Sequence, residues 1–218
     1  MKPKALISIQ NIHKSYSNTL LFKDLSFNLL ERERLGLIGP NGTGKSTLLK
    51  ILAGLESFDA GEMAIGAKTR VAYLPQTDVF VDELSIRKIL LDHFPSHLQE
   101  WEIQKQLNEI QDQVQFPDLE QVFGTLSGGW RKRVGIAAIL AQGCDLVLLD
   151  EPTNHLDLQG ILWLESWLQN ADFAFVLISH DRFILENTCN SIIDLDRRYK
   201  KGHLKVQGNY SKFLQDQE

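Results

Sequence analysis

Short apolar runs alternate with helical patterns along most of the chain. Two fairly polar runs, 6–12 and 25–30, predict half-exposed strands, and 191–196 predicts a later, more peripheral strand. Residues 45–53 predict a helix directly after a buried strand. Buried strands are predicted at four continuous apolar runs, namely 35–39, 71–74, 146–150 and 175–179. This alternation predicts an α/β fold in which helices wrap a mostly parallel sheet.

Between residues 76 and 142 the pattern becomes helical. Apolar residues recur there at spacings that keep one face apolar: Leu98, Trp101, Leu107, Ile110 and Val114. We interpret this stripe as the packing face of a helical subdomain, about 76–142, inserted into a core of about 1–75 and 143–218. Residues 1–218 then form a single domain. The last residues have a helical pattern without a stop signal, which indicates a piece of a longer chain.

Composition and charge exclude several classes of protein. The 43% of hydrophobic residues exclude a mainly disordered chain, and the net charge of −5 gives no general electrostatic reason to bind nucleic acid. The basic cluster at 197–201 is interpreted as a solvated turn. Cys144 and Cys189 lack metal-ligand spacing and are expected to be reduced thiols. The apolar run at 173–179 is too short to cross a bilayer, which takes about 20 residues. We therefore expect a soluble, cytoplasmic protein.

A phosphate-binding loop follows the first buried strand. Its nine residues fit G-x-x-x-x-G-K-[ST] plus one: Gly39, Pro40, Asn41, Gly42, Thr43, Gly44, Lys45, Ser46 and Thr47. The glycines allow the backbone N–H groups to turn inward around phosphate oxygens, and the following helix N-terminus favours negative charge. Lys45 is expected to reach the β- and γ-phosphates of ATP, and the hydroxyl of Ser46 to ligate Mg²⁺.

A second chemical signal lies at the end of the strand at 146–150. Asp150 ends this apolar run and Glu151 follows it, so both carboxylates are expected at the carboxyl edge of the sheet beside the phosphate loop. Asp150 is predicted to hold Mg²⁺ through water, and Glu151 to accept a proton from an attacking water. On its own such a strand end is weak evidence for a site, because a solvated strand end has the same pattern, and only the phosphate loop favours the functional interpretation.

The order of the motifs resembles that of the ATP-binding cassette (ABC) superfamily. Twenty positions before the second acidic strand, the chain reads LSGGW, which resembles the LSGGQ signature: Leu126, Ser127, Gly128, Gly129 and Trp130. Ser127 is also a plausible N-cap of the following helix. Trp130 replaces the usual glutamine. The resemblance implies a P-loop NTPase fold of the ABC ATPase type, with a mostly parallel sheet, an antiparallel β part and an inserted helical subdomain.

The resemblance implies roles for further residues. Gln76 resembles the Q-loop glutamine that contacts Mg²⁺, His180 the switch histidine that contacts the γ-phosphate, and Tyr16 the aromatic residue that stacks on adenine. Taken alone, a glutamine after a strand is typical of a surface residue and a lone histidine after a strand is usually structural. For Tyr16, a packed or exposed residue at a strand end stays the alternative. Leu156 and Asp157 match the end of the D-loop, which crosses to a partner cassette together with the signature.

Residues 151–157, EPTNHLD, narrow the resemblance to the ABC-F group, whose members carry two cassettes in one chain and lack membrane domains. WLESWL, SHDRFIL and GNYSKFL resemble the amino-terminal cassette of Uup-type ABC-F proteins. Only 49 residues separate Gln76 from Leu126, which is similar to the reduced insertion of that type.

The resemblance implies a Mg²⁺-dependent ATPase half-site, in which Lys45, Glu151 and His180 act on ATP and a second cassette completes the site. A role on the ribosome or on nucleic acid, related to DNA repair in Uup-type proteins, would involve regions outside this chain. Two alternatives stay open, namely the ATP-binding subunit of a membrane transporter and a nucleotide-binding module with negligible turnover. Intact Glu151 and His180 argue against the module.

Overall fold

The computed structural model describes residues 3–17, 19–77 and 80–217. The strands are β1 (Ala5–Tyr16), β2 (Thr19–Leu30), β3 (Arg34–Ile38), β4 (Ala60–Ile65), β5 (Val71–Leu74), β6 (Leu146–Asp150), β7 (Ala174–Ile178), β8 (Ser191–Leu195) and β9 (His203–Gln207). The helices are α1 (Lys45–Leu52), α2 (Ile86–Leu91), α3 (Glu100–Val114), α4 (Gly128–Gln142), α5 (Leu158–Gln169), α6 (Arg182–Thr188) and α7 (Tyr210–Asp216). A short 3₁₀ helix spans Phe123–Thr125.

A six-stranded sheet forms the centre of the fold, in the order β5-β6-β7-β3-β8-β9. The first five strands in this order run parallel, and β9 pairs antiparallel with β8. Every residue of β6, β7 and β8 is buried, because helices or the second sheet cover both faces. The continuous apolar runs along these strands have this physical cause. The parallel strands deliver their carboxyl ends to one edge.

A three-stranded antiparallel sheet, in the order β2-β1-β4, packs over the first sheet with α1 between them. Helix α1 buries apolar residues on several of its sides, because it contacts both sheets: Leu48, Leu49, Ile51 and Leu52. The sequence pattern does not identify β4, whose six residues are mostly exposed. The opposite face of the central sheet is covered by a cluster that draws on α4, α5, α6 and α7.

The expected peripheral position of the strand at 191–196 is wrong. β8 is completely buried between β3 and β9, and its register pairs Ile192 with Gly36. The edge is formed by β9, which the sequence pattern does not identify because its residues are mostly half-buried and mixed in polarity. A Cβ on Gly36 would lie 2.7 Å from Ile192 Cδ1, so β3 and β8 pack closely here.

Helices α2, α3 and α4 share a core of their own within the range 76–142. Leu107, Ile110 and Val114 are buried there as predicted, but Trp101 is 67% exposed. Leu98 packs against this core, and the residue that continues the stripe one turn before Leu107 is Ile103. Trp101 lies six positions before Leu107, which is not a helical repeat. In the described part of the chain, no helix is long and apolar enough to cross a membrane.

Candidate nucleotide site

The turn at residues 39–44 joins β3 to α1 in a conformation that depends on glycine. Gly39, Gly42 and Gly44 have φ values of 139°, 79° and 93°. A Cβ on Gly39 would lie 2.4 Å from the carbonyl oxygen of Leu195 in β8. Gly44 is the N-cap residue of α1, so the free N–H groups of the first helical turn open at the carboxyl edge of the sheet. This combination makes an anion-binding concavity.

The ammonium group of Lys45 lies folded back over this turn. Its Nζ donates to the carbonyl oxygens of Gly39 at 2.9 Å and Pro40 at 3.1 Å. Burial lowers the pKa of Lys45, while the nearby carboxylates of Glu151, Asp150 and Asp194 favour its charged form. A buried ammonium that is held only by carbonyls is well suited to exchange them for phosphate oxygens, which are stronger acceptors.

Ser46 and Asp150 form the second part of the site. Ser46 Oγ donates to Asp150 Oδ1 at 3.0 Å, and the hydroxyl of Tyr73 donates to Asp150 Oδ2 at 3.1 Å. Burial and the adjacent carboxylate raise the pKa of Tyr73, so its hydroxyl keeps its proton. The sequence pattern does not identify Tyr73, which lies within a strand read only as buried. Both oxygens of Asp150 are thus oriented before any ligand binds.

Glu151 and His180 form a pair at the ends of the neighbouring strands β6 and β7. His180 Nε2 lies 3.2 Å from Glu151 Oε1, and Glu151 N donates to the carbonyl of Ile178 at 3.0 Å. Glu151 has a left-handed φ of 50°, which few non-glycine residues adopt. Burial raises its pKa, whereas the charges of His180 and Lys45 act in the opposite direction. The carboxylate is 10% exposed, and the imidazole is 67% exposed.

These groups surround a cavity of about 480 Å³. The structure brings most of the predicted site residues to it: Tyr16, Asn41, Gly42, Gly44, Lys45, Ser46, Thr47, Gln76, Glu151 and His180. Asn154 also lines the cavity. In the sequence, Asn154 is notable only as part of EPTNHLD, which carries the resemblance to the ABC-F group. Asp150 lies behind Ser46 rather than on the cavity wall. Tyr16 is 46% exposed, and the ammonium group of Lys14 lies 4.9 Å from its ring centroid.

The loop that carries Gln76 is tied to α4. The buried side chain of Lys132 donates to the carbonyl oxygens of Pro75 at 3.2 Å and Gln76 at 2.9 Å. The side chain of Gln76 itself is exposed at the cavity. The sequence gives no signal for the Lys132 contact, because it joins residues more than 50 positions apart through backbone carbonyls.

The signature turn at 126–130 does not line this cavity. Ser127 Oγ accepts from the backbone N of Trp130 at 3.5 Å, so the expected helix-capping role is present. Gly128 and Gly129 form the start of α4, where Gly128 is exposed and Gly129 is half-buried. Trp130 packs against Phe116 with their ring centroids 5.9 Å apart. The residue that replaces the usual glutamine therefore contributes to the core of the helical segment.

Leu156 and Asp157 lie beside the signature turn. Asp157 Oδ1 accepts from Gly160 N at 2.8 Å and so caps α5. Leu156 packs into the core, and its Cδ2 would lie 3.6 Å from a Cβ on Gly129. The structure therefore places the predicted site residues in two separate groups. One group surrounds the cavity, and the other, called the second surface below, consists of residues 126–130 and 156–157.

Comparisons with known proteins are consistent with these motifs. A profile of the ABC transporter family matches residues 22–154. The chain is 36% identical to the ATP-binding protein Uup of Buchnera aphidicola subsp. Acyrthosiphon pisum (strain APS), over 96% of this chain and 35% of Uup. It is 29% identical to the energy-dependent translational throttle protein EttA of Mycobacterium tuberculosis (strain CDC 1551 / Oshkosh), over 96% of this chain and 43% of EttA. The chain thus spans less than half the length of these relatives.

A solved structure shows the same fold. The dimeric ATP-binding cassette MJ0796, in a post-hydrolysis state bound to ADP and Pi, superposes with a TM-score of 0.79 at 22% identity, over 93% of this chain and 99% of that one. This likeness confirms the predicted fold class of an ABC ATPase cassette. The chain belongs to the ABC transporter family, and the predicted resemblance to its ABC-F group is confirmed.

Proposed function

We propose that the cavity binds Mg-ATP and that the chain is one half of an ATP-hydrolysing pair of cassettes. The observation that carries this proposal is the convergence of Lys45, the Ser46–Asp150 pair and the Glu151–His180 pair at one cavity. The backbone of residues 39–47 wraps the phosphates, with the ammonium of Lys45 against the β- and γ-phosphates. Tyr16 stacks on the adenine ring.

The donor set around Ser46 fits a magnesium ion. Mg²⁺ prefers oxygen ligands and is usually bound by one or two carboxylates together with substrate phosphates. Ser46, Gln76 and Asp150 offer a hydroxyl, an amide oxygen and a carboxylate. Among the described residues, no cluster of three or more His, Cys, Asp or Glu side chains forms a metal site. A magnesium ion held here would neutralise charge at the phosphates.

Glu151 is the proposed general base. Its ionised carboxylate accepts a proton from the water that attacks the γ-phosphate, and His180 steadies the γ-phosphate. Burial raises the pKa of Glu151, which strengthens the carboxylate as a base while it stays within reach of the cavity. The proton passes from the water oxygen to a Glu151 carboxylate oxygen as the bond from the water oxygen to the γ-phosphorus forms and the bond from the γ-phosphorus to the β–γ bridging oxygen breaks, so that ADP and phosphate leave.

The second surface is proposed to serve a partner. Leu126, Ser127, Gly128, Gly129, Trp130, Leu156 and Asp157 lie outside the cavity of their own chain, so a head-to-tail partner cassette would present its ATP to them. The dimeric state of the similar cassette MJ0796 supports this arrangement. The partner is a second cassette, either from the same longer chain or from a second copy.

Thermal unfolding tests the nucleotide site. Mg-ATP at a hundredfold excess over Kd stabilises the folded state by about 2.7 kcal/mol. It should raise the Tm of the unaltered chain and of Lys50→Ala, an exposed lysine on the same helix. It should not raise the Tm of Lys45→Ala. Equal Tm shifts in all three proteins would exclude the assigned site.

We further propose a cytoplasmic role on the ribosome or on nucleic acid. The similarity to the energy-dependent translational throttle protein EttA supports a role in translation, and the NHLD residues 154–157 support the ABC-F group over transporter cassettes. Glu151→Gln in the presence of Mg-ATP should co-sediment with purified bacterial ribosomes, and Lys45→Ala should not.

The alternative is the ATP-binding subunit of a membrane transporter, which the family match supports. Mg-ATP turnover stimulated only by an integral membrane partner would favour that alternative.

A further inference from the structure

Arg133 lies between two tryptophan side chains. Its guanidinium carbon is 4.7 Å from the ring centroid of Trp130 and 4.6 Å from that of Trp163. Trp130 and Arg133 lie one turn apart on α4, whereas Trp163 belongs to α5. Phe116 packs against Trp130, and Trp167 is stacked on Trp163 with ring planes 8° apart. The guanidinium thus joins the start of α4 to the middle of α5 through two cation–π contacts.

The same side chains bind the carboxyl end of α3. Arg133 Nη1 donates to the carbonyl of Val114 at 3.2 Å, and Trp163 Nε1 donates to the carbonyl of Gln113 at 3.2 Å. The last carbonyls of a helix lack helical partners and carry partial negative charge, so a cation and an N–H donor both stabilise this end. Three helices therefore meet at one guanidinium.

This junction adjoins the second surface. A Cβ on Gly128 would lie 3.2 Å from His155 Cβ, so the signature turn rests directly on the loop before α5. Asp157, which caps α5, is near enough for its charge to support the ionised form of Arg133, while burial lowers the pKa of Arg133. A shift of α4 relative to α5 would separate the two motifs that the partner is proposed to contact.

We propose that Arg133, held between Trp130 and Trp163, is a positioning residue that fixes the signature turn Ser127–Trp130 against the loop 155–157. This inference rests on the proposed function of that surface. Arg133 does not line the nucleotide cavity, so it acts on the partner-facing surface without contacting the ATP held by its own chain. A lysine cannot replace it, because an ammonium lacks the planar guanidinium that fits between two rings.

Amide hydrogen exchange of the whole chain tests the proposal. Arg133→Lys and Trp163→Phe should each raise exchange about 10-fold in two segments, 129–131 and 157–160, since the lost contacts hold both segments closed. Ile110→Val, a buried change in α3 of the same core, is the control for general loss of stability. A rise in those two segments no larger than in Ile110→Val at an equal fall in Tm would overturn the proposal.

Nucleotide affinity and turnover complete the test. The Kd for Mg-ATP should stay within about twofold in Arg133→Lys, because residues 39–47 are untouched, whereas kcat should fall about 10-fold. A kcat that falls only with the folded fraction would contradict the positioning role. If the unaltered chain neither binds nor hydrolyses Mg-ATP, the proposed function fails, and the exchange data still decide whether Arg133 holds the two segments together.

Discussion

Two glycine-containing turns lead into helices in this molecule, and they use glycine for different reasons. In the turn at 39–44, three glycines have positive φ values, and a side chain on Gly39 would collide with a backbone carbonyl of β8. A Cβ on Gly44 would lie 3.0 Å from side-chain atoms of both Leu21 and Phe22. The fold of this chain alone therefore requires glycine in the first turn.

In the turn at 127–129 the demand of the chain is weaker. Gly128 and Gly129 have helical conformation within α4. A Cβ on Gly128 would lie 3.2 Å from His155 Cβ, and a Cβ on Gly129 would meet nothing closer than 3.6 Å, so neither collides with the backbone. Glycine at this helix start leaves space around the N–H groups of the first helical turn. The turn at 39–44 is complete within its own chain, and the turn at 127–129 fits the proposal that a partner cassette presents a ligand to it.

The largest expected effect is the loss of turnover in Glu151→Gln. Glu151→Gln keeps the volume of the side chain but cannot take up a proton as a carboxylate does. General-base assistance is worth about 10²–10⁴-fold in rate, so turnover should fall within that range. Affinity for Mg-ATP should hold, because the turn at 39–44 is unchanged. Single-turnover assays measure the first effect and equilibrium binding the second.

The same variant should also pair more strongly with a partner cassette through the turn at 127–129. Without hydrolysis, ATP stays between paired cassettes, and sedimentation with Mg-ATP should show more dimer for Glu151→Gln than for the unaltered chain. Native turnover by Glu151→Gln would show that another group is the base.

Gly39→Ala should most strongly destabilise the fold. The added methyl group would lie 2.4 Å from the Leu195 carbonyl oxygen, and the φ of 139° at this position is unfavourable for alanine. The free energy of unfolding should therefore fall by about 3 kcal/mol or more. Gly42→Ala is the matched control, since its φ is 79° but nothing lies within 4 Å of the added methyl group. It should cost only about 1–2 kcal/mol. Urea unfolding compares the two, and equal losses would show that the close contact does not matter.

Tyr73→Phe should have an intermediate effect. It removes one hydrogen bond to the Asp150 carboxylate, a loss of about 1.5–3 kcal/mol if no water replaces it. Asp150 then keeps only Ser46 as a fixed donor, so a higher Mg²⁺ concentration should be needed for ATP binding. A Mg²⁺ titration of nucleotide binding measures this shift. Tyr210→Phe, whose hydroxyl has no hydrogen bond in the described structure, serves as a control with an unchanged titration.

The same contrast explains which features the sequence predicts. The turn at 39–44 is predicted residue by residue, because its backbone admits only glycine at fixed positions. Tyr73 and Lys132 are not predicted, since their partners lie far along the chain and depend on how β5 and α4 pack. Trp130 is noticed only as a departure from the signature. Its contact with Arg133 explains the departure, but that contact requires the position of α5.

Strand prediction has a similar limit. Buried strands such as β6 and β7 have continuous apolar sequences because both faces are covered. The mostly exposed strand β4 and the half-buried strand β9 carry mixed residues, and backbone pairing with a neighbour, rather than side-chain burial, defines them. The prediction for Trp101 is wrong because this residue is apolar and close to the stripe in sequence, whereas its spacing from Leu107 does not match the helical repeat and its side chain is exposed.

The smallest expected effect has opposite signs for stability and turnover. Gly129→Ala should raise the free energy of unfolding by about 0.5 kcal/mol, because alanine favours a helix and the added methyl group has space. It should nevertheless lower turnover about 10-fold or more, because the methyl group occupies the space in front of the N–H groups offered to the partner's phosphate. Ser166→Ala, at an exposed position of α5, should give a similar gain in stability without loss of turnover. Urea unfolding and turnover across protein concentrations measure both quantities. A Gly129→Ala chain that is more stable and fully active would mean that the second turn binds nothing at its glycines, and the contrast between the two turns would then have another cause.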